Sequence, residues 1–228
     1  MKEIVVFSGA GMSAESGLKT FRDSDGLWEN YDVAQVATPE AWAANPELVL
    51  RFYNARRQQV LEASPNLAHQ YLKKLEEKHN VHVITQNIDD LHERAGSTKV
   101  LHLHGEILKS RSANNPSRLF EQKRPIKLGD VADDGYQLRP HVVWFGEAVP
   151  ELDNAKSVIE KADILIIIGT SLNVYPAAGL VYCARKNAKI YLIDPGDVKH
   201  PNLKRLEVIQ KSATEGIPIL VDVLMRAE

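Results

Sequence analysis

Cysteine is almost absent: the 228 residues contain one, Cys183. That excludes an intramolecular disulfide and any cysteine-rich zinc site, and it suits a reducing cytoplasmic compartment. A one-sided charge is also missing. Lys and Arg number 28 against 30 Asp and Glu, a net charge of -2, whereas phosphate backbones call for a basic stripe, so no nucleic-acid partner is expected. No apolar run approaches the roughly 20 residues that span a bilayer, so no membrane partner is expected. The first apolar burst, IVVF, is too short for a secretory leader and runs straight into a glycine-rich turn. What is present, 44% hydrophobic and 25% charged residues, is ordinary for a globular protein. The length fits one core of roughly 150–200 residues with a smaller insertion, and a monomer is expected.

Short β-branched runs recur with helical stretches between them. IVVF (4–7), VHVIT (81–85), VLHLH (100–104), HVVWF (141–145), DILIIIG (163–169) and KIYLID (189–194) read as strands. ILIII has no polar alternation, which predicts a strand covered on both faces, as in a parallel sheet. Thr38-Pro39, Asn45-Pro46 and Ser64-Pro65 mark helix starts, a side-chain oxygen capping and proline filling the first turn. After Ser64, the residues Leu67, Tyr71, Leu72 and Leu75 make an apolar stripe. Strands alternating with helices predict an α/β fold with a doubly wound, Rossmann-like parallel sheet and a smaller inserted domain. The core is expected over 1–27, 65–105 and 139–228. Residues 28–64 read as a helical insertion, and the polar, turn-rich 106–138 as a small second one.

Chemistry-bearing residues gather at strand ends. Gly9-Ala10-Gly11-Met12-Ser13-Ala14 is a G-x-G-x-x-A turn opening a helix; glycines allow close backbone approach and a helix N-terminus offers free N–H groups to a pyrophosphate. A tight turn with no ligand is the other reading. A dehydrogenase would show a second strand with an acidic end about twenty positions on, and GLKTFRDSDGLW does not. Gln86, Asn87 and Asp89 follow another strand, where amides and a carboxylate can read a carboxamide and ribose hydroxyls; capping of the next helix by Asn87 or Asp89 is an equal alternative. His102 and His104 share a strand face. A metal pair is one reading, but no further ligand completes it; a histidine at a nucleotide crevice suits proton transfer near neutrality. Gly169-Thr170-Ser171 and Asp194 end two more strands, placed for phosphate and ribose, with surface turns as the bland alternative.

GAGMSAESGLKTFR resembles the sirtuin signature GAGxSxxSGIPxFR, TQNIDDLH resembles its TQNID motif, and LHGE its catalytic HG motif. HVVWFGE, GTSLNVYPAAGL and the strand ending at Asp194 fall in the family's order, so the likeness covers nearly the whole chain. The resemblance implies an NAD-dependent protein-lysine deacylase acting on acylated proteins or peptides and yielding nicotinamide, O-acyl-ADP-ribose and free lysine. It implies His104 as general base, with Asn87 as a second catalytic residue. Gly9, Ala10, Gly11, Ser16, Phe21, Arg22, Gln86, Asn87, Asp89, Gly169, Thr170, Ser171, Asp194 and Ala213 would hold NAD. Val143, Phe145, Gly146 and Glu147 would flank the substrate backbone on one side and Asn173, Val174 and Tyr175 on the other, as an added strand. Ala37, Tyr53 and Arg56 resemble the acyl pocket of the subgroup that removes succinyl and malonyl groups. Read without the family, Arg56 is a solvated charge and Tyr53 a core aromatic.

The chain departs from the family's pattern in three places. Thr20 stands where many members have Asp, and Asp194 where Asn is usual. The four cysteines of the family's zinc module have no counterpart in 106–138, so that segment is expected to fold without metal around Leu108, Leu119, Phe120, Ile126 and Leu128. An NAD glycohydrolase or ADP-ribosyltransferase is the rival enzyme, and a non-catalytic NAD-binding protein the rival from another class.

Overall fold

A computed structural model describes residues 1–19, 27–28, 31–196 and 202–226. In chain order the elements are β1 (Glu3–Ser8), α1 (Gly11–Ala14), β2 (Leu27–Trp28), β3 (Tyr31–Asp32), α2 (Val33–Val36), α3 (Pro39–Ala44), α4 (Pro46–Glu62) and α5 (Leu67–Leu75). There follow β4 (Asn80–Thr85), α6 (Leu91–Arg94), β5 (Val100–His102), β6 (Gly105–Ser112), β7 (Leu119–Glu121), β8 (Leu138–Val142) and α7 (Leu152–Ile159). The chain ends with β9 (Ile164–Ile168), a 3-10 helix over Ala177–Cys183, β10 (Lys189–Ile193), β11 (Leu206–Ile209) and α8 (Ala213–Arg226).

Continuous apolar runs can satisfy themselves only when both faces of a strand are covered. The six-stranded sheet does this, in the order β11-β10-β9-β1-β4-β5 with every pair parallel. The sheet grows outward from β1 through β4 and β5, then restarts at β9 and grows the other way. The β1/β9 boundary is therefore a switch point, the place where such sheets bind ligands beyond their carboxyl ends. Within ILIII, Ile164, Ile166 and Ile168 join Leu72, Leu75, Ile217 and Leu220 of α5 and α8 on one face. Leu165 and Ile167 join Ala155 and Ile159 of α7 and Val181 on the other. Each such fully buried side chain contributes about 1.5–3 kcal/mol.

Thr38 and Asn45 cap α3 and α4 as the sequence predicts, each accepting a first-turn N–H, with proline at the first helical position. The third start is corrected: Asn66, not Ser64, caps α5, and its backbone N–H meets the ring of His69 in a reciprocal capping box. The later start rotates the stripe to Ala68, Leu72 and Leu75 and leaves Leu67 exposed. The first βα helix is one turn long, so its dipole is small. Among the described residues no helix is long and apolar enough to cross a membrane.

HVVWF is not a strand of the central sheet. Residues 138–142 instead form β8, antiparallel to β6 in a three-stranded sheet of order β7-β6-β8 that occupies the 106–138 insertion and extends beyond it. Leu119 and Leu128 are exposed, so they do not hold this module together; Ile126 is buried as expected, and Ile107 and Val142 are buried with it. A polar clamp from α4 completes the attachment. The Asn54 amide donates to Ile126 O at 2.8 Å and accepts from Ile126 N at 2.9 Å. The Arg57 guanidinium donates to Asn54 Oδ1 at 2.7 Å and to Ile107 O at 3.0 Å. Among the described residues no group of three metal-ligating side chains converges.

Candidate active site

Two backbone loops meet at the switch point. Gly9 N donates to Ile168 O at 3.0 Å, Gly11 N to Gly169 O at 2.8 Å, and Gly169 N to Ile193 O at 3.1 Å. A Cβ on Gly11 would lie 2.7 Å from Gly169 Cα, and one on Gly169, whose φ is +60°, would collide with Met12 N. Only glycine permits this approach. The loops floor a cavity of ≈ 680 Å³ at the carboxyl ends of the strands.

The Thr85–Asp90 turn forms one wall. Asn87 donates to Ser13 Oγ at 3.1 Å, and that hydroxyl donates to Asp89 Oδ2 at 3.0 Å. Asp89 also accepts from Leu91 N, the first residue of α6, at 3.2 Å. Burial pushes the Asp89 carboxyl up, partly offset by these two bonds. Gln86 reaches across to Thr170 Oγ1 at 3.1 Å.

Two successive carbonyls of this turn hold the two histidines. Nδ1 of His104 lies 3.0 Å from Gln86 O, and Nδ1 of His102 lies 3.1 Å from Asn87 O. A carbonyl only accepts, so each Nδ1 carries the proton. A neutral His104 therefore keeps its free lone pair on Nε2. Burial lowers the His104 pKa, with the Gln86 carbonyl opposing, which keeps the ring neutral at pH 7. His102 goes the other way: burial disfavours its charge, but Glu93 Oε1, 2.7 Å from Nε2, prevails and raises its pKa. Both ring nitrogens of His102 are thus engaged, Nδ1 by the Asn87 carbonyl and Nε2 by Glu93.

The far end of the cavity is lined by α2, α4 and the segment after β8. Tyr53 and Arg56 sit one turn apart on α4 and are both buried, which excludes the solvated reading of Arg56. Arg56 Nη1 donates to Gln59 Oε1 at 3.1 Å. Burial pushes the Tyr53 hydroxyl well up, so it stays protonated. Ala37 O accepts from Phe145 N at 2.9 Å, and His104 O from Val143 N at 2.9 Å, which ties the segment to both halves of the site. The Glu147 carboxylate does not face the groove freely: it accepts from Trp144 N, Arg139 and Arg111.

Of the residues the sequence nominated, the cavity wall carries Gly9, Ala10, Gly11, Gln86, Asn87, Asp89, Gly169, Thr170, Ser171, Asp194 and Ala213 around the glycine floor. His104 lines the same cavity, as does the second set, which comprises Ala37, Tyr53, Arg56, Val143, Phe145, Gly146, Glu147, Asn173, Val174 and Tyr175. Ser16 is not on the wall, and Phe21 and Arg22 lie outside the described residues. Sequence reasoning missed Ser13, which links Asn87 to Asp89, and the apolar Leu18, Val60 and Ile88 that line the cavity. The GAGxS signature fixes a serine at this position, but only the fold brings it to the Asn87 amide.

Comparison with known proteins gives the same answer along the whole chain. The Sir2 family model matches residues 9–176. A Bacteroides thetaiotaomicron protein described as an NAD-dependent protein deacylase is 54% identical, with 100% of each chain covered. A Helicobacter pylori protein of the same description is 53% identical over 99% of this chain and 98% of its own. Among solved structures, a Sir2 homologue in complex with NAD superposes with a TM-score of 0.86 at 39% identity, over 98% of this chain and 89% of the other. A Sir2–p53 peptide–NAD+ complex superposes at 0.81 and 31% identity, over 98% and 94%. The matched span includes the glycine turn, the Thr85–Asp90 wall and His104, and the chain belongs to the Sir2 family.

Proposed function

We propose that this chain is an NAD-dependent protein-lysine deacylase that removes acetyl, succinyl and malonyl groups, yielding nicotinamide, O-acyl-ADP-ribose and free lysine. One observation carries the reading: His104, neutral and with Nε2 free of the Gln86 carbonyl, lines the same cavity as a glycine floor and a buried Tyr53–Arg56 pair. The floor fits a dinucleotide, because Gly9, Gly11 and Gly169 bring two loops together with no side chain between them. Bound there, NAD would supply a glycosidic bond whose cleavage frees nicotinamide and leaves an acceptor for the acyl oxygen. Gln86, Asn87 and Asp89 would orient its nicotinamide ribose, Thr170, Ser171 and Asp194 its phosphates and second ribose. His104 would take a ribose hydroxyl proton at Nε2 while Nδ1–H stays on Gln86 O, which fixes the ring's orientation. The mostly apolar wall of Leu18, Ile88 and Val60 would exclude water from the reacting atoms.

At the other end, a guanidinium fork and a protonated tyrosine hydroxyl suit the distal carboxylate of a succinyl or malonyl group. A charge-assisted bond of about 1.5–3 kcal/mol gives roughly 10- to 150-fold preference over a chain lacking that carboxylate. Acetyl is small enough to enter the same pocket. The test is nicotinamide release measured with succinyl-, malonyl-, acetyl- and unmodified lysine peptides. Release should require an acyl group, and Arg56→Met should raise KM for succinyl-peptide while sparing acetyl-peptide. Release at one rate with or without acyl-peptide would make the protein an NAD glycohydrolase. Equal losses on both peptides in the Arg56 variant would remove the carboxylate pocket.

A further inference from the structure

Behind the proposed acyl pocket, the small sheet contributes two arginines to one carboxylate. Arg139 of β8 donates from Nη1 to Glu147 Oε1 at 2.8 Å and from Nη2 to Oε2 at 3.2 Å, a two-point fork that sets the guanidinium plane. Its Nη2 also donates to Val142 O at 3.0 Å. Arg111 of β6 adds contacts to the same two oxygens at 3.2 and 3.3 Å. Glu147 in turn takes the backbone N–H of Trp144 at 2.8 Å. The guanidinium carbon of Arg139 lies 3.2 Å from the centre of the Trp144 ring system. That indole then leans on Trp42, at 5.7 Å between centroids, and on Tyr53, at 6.4 Å.

We infer that Arg139 is a positioning residue for acyl-lysine recognition, holding Trp144 and through it the wall on which Tyr53 stands. The inference rests on the deacylase reading given above. Its physical core is geometric. A buried ion pair is weak evidence for stability, since desolvation consumes much of the attraction, but a planar fork clamped at two points and stacked on an indole permits few orientations. Lysine could keep the charge and lose both the fork and the stack. The cluster also holds two cations for one carboxylate, Arg111 and Arg139 against Glu147. Loss of one arginine therefore leaves Glu147 paired, and the wall can shift without stranding a buried charge. The insertion, far from being a passive remnant, would set how well the enzyme grips its acyl chain.

The experiment compares wild type, Arg139→Met, Arg139→Lys and Arg111→Gln in two ways. One is steady-state kinetics on acetyl- and succinyl-peptide; the other is binding of a fluorescein-labelled succinyl-lysine peptide without NAD, read by anisotropy. Arg139→Met should raise both peptide KM values and the peptide Kd by about 10-fold, the scale of a stacked cation and a lost fork. KM for NAD and kcat should stay within about 3-fold, and Arg139→Lys should rescue little. If Arg139→Met melts too low to assay, Arg111→Gln, which leaves the fork on Glu147, should show the same split at smaller size. A parallel fall in peptide and NAD parameters would mean a merely structural role. Loss on succinyl-peptide alone, with recovery in Arg139→Lys, would mean that charge acts instead of geometry; either result overturns the inference. A wild-type enzyme inactive on every acyl-peptide would overturn the parent reading, whereas an active wild type with unchanged arginine variants would overturn only this one.

Discussion

Asn54→Ala tests how the small sheet is held to α4. The side chain has three hydrogen bonds: one to Ile126 O, one from Ile126 N and one from Arg57 Nη1. Ile126 is 1% exposed and Arg57 likewise 1%, so truncation leaves two backbone groups and part of a guanidinium without partners in a largely buried site. Burial already lowers the Arg57 pKa to about 10, a sign that this charge is poorly solvated. Each stranded group costs about 1–3 kcal/mol. Arg57 keeps Ile107 O, and water can reach the edge of the clamp, so the sum is about 3–5 kcal/mol. For a protein of this size each kcal/mol is worth roughly 2–4 °C, which predicts a fall in Tm of about 6–20 °C. Asn54→Asp keeps the acceptor shared by Ile126 N and Arg57 and loses only the donor, so it should fall between. The assay is a circular-dichroism melt paired with limited proteolysis, in which cleavage should concentrate between residues 113 and 137. A fall in stability below about 1 kcal/mol for Asn54→Ala would refute the clamp.

His104→Ala should cut deacylation by roughly 10²–10⁴-fold while NAD binding, followed by titration, persists; activity within a few-fold of wild type would exclude it as the base. Because burial depresses the His104 pKa, the working neutral form persists into acid, so the acidic limb of kcat/KM should lie below the ordinary histidine value of about 6.5. Chelator should leave both Tm and activity unchanged, and stoichiometric zinc lost together with stability would contradict the metal-free module. Burial holds His69 and His141 neutral down to about 4 and also pushes His92 well below its ordinary value. The unfolded chain binds more protons below about pH 6.5, so the denaturant midpoint should drop as pH falls from about 6.5 toward 4. A flat midpoint across that range would refute this.

The central sheet was legible because ILIII, IVVF and VHVIT are continuous apolar runs, which leave a strand few places to go. The small sheet was not, because β6 reads GEILKSRS, a polar stretch with no periodic signature. Ser110, Arg111 and Ser112 are nevertheless buried. Their partners are distant in sequence: Gln122 for Ser110, Glu147 for Arg111 and Asp134 for Ser112. A strand stabilised by side-chain pairing looks like a loop until those partners are in place. His104, Asn87 and the glycine turn could be named from sequence because each lies at a strand end. His102 drew attention as a possible ligand, and its support of Asn87 emerged only once the turn carbonyl was seen beside it. β11 was missed because its four residues, LEVI, form a short edge strand with Glu207 and Val208 exposed, too brief for a periodic signal.

Helix α4 carries two sets of residues offset in register, with Tyr53 and Arg56 turned to the cavity, where the acyl pocket is proposed, and Asn54 and Arg57 to the small sheet. Each set is spaced by three, and the sets are offset by one position, about 100° around the axis. Their geometry makes the helix intolerant of phase change. A single residue inserted before Tyr53 would turn the pocket residues toward the small sheet and carry Asn54 and Arg57 on to the exposed face now held by Ala55 and Gln58. Point substitutions can retune either face separately, but length changes in this helix damage both at once. Diversification of acyl preference in such a scaffold is therefore confined to exchanging side chains, with the helix length held fixed.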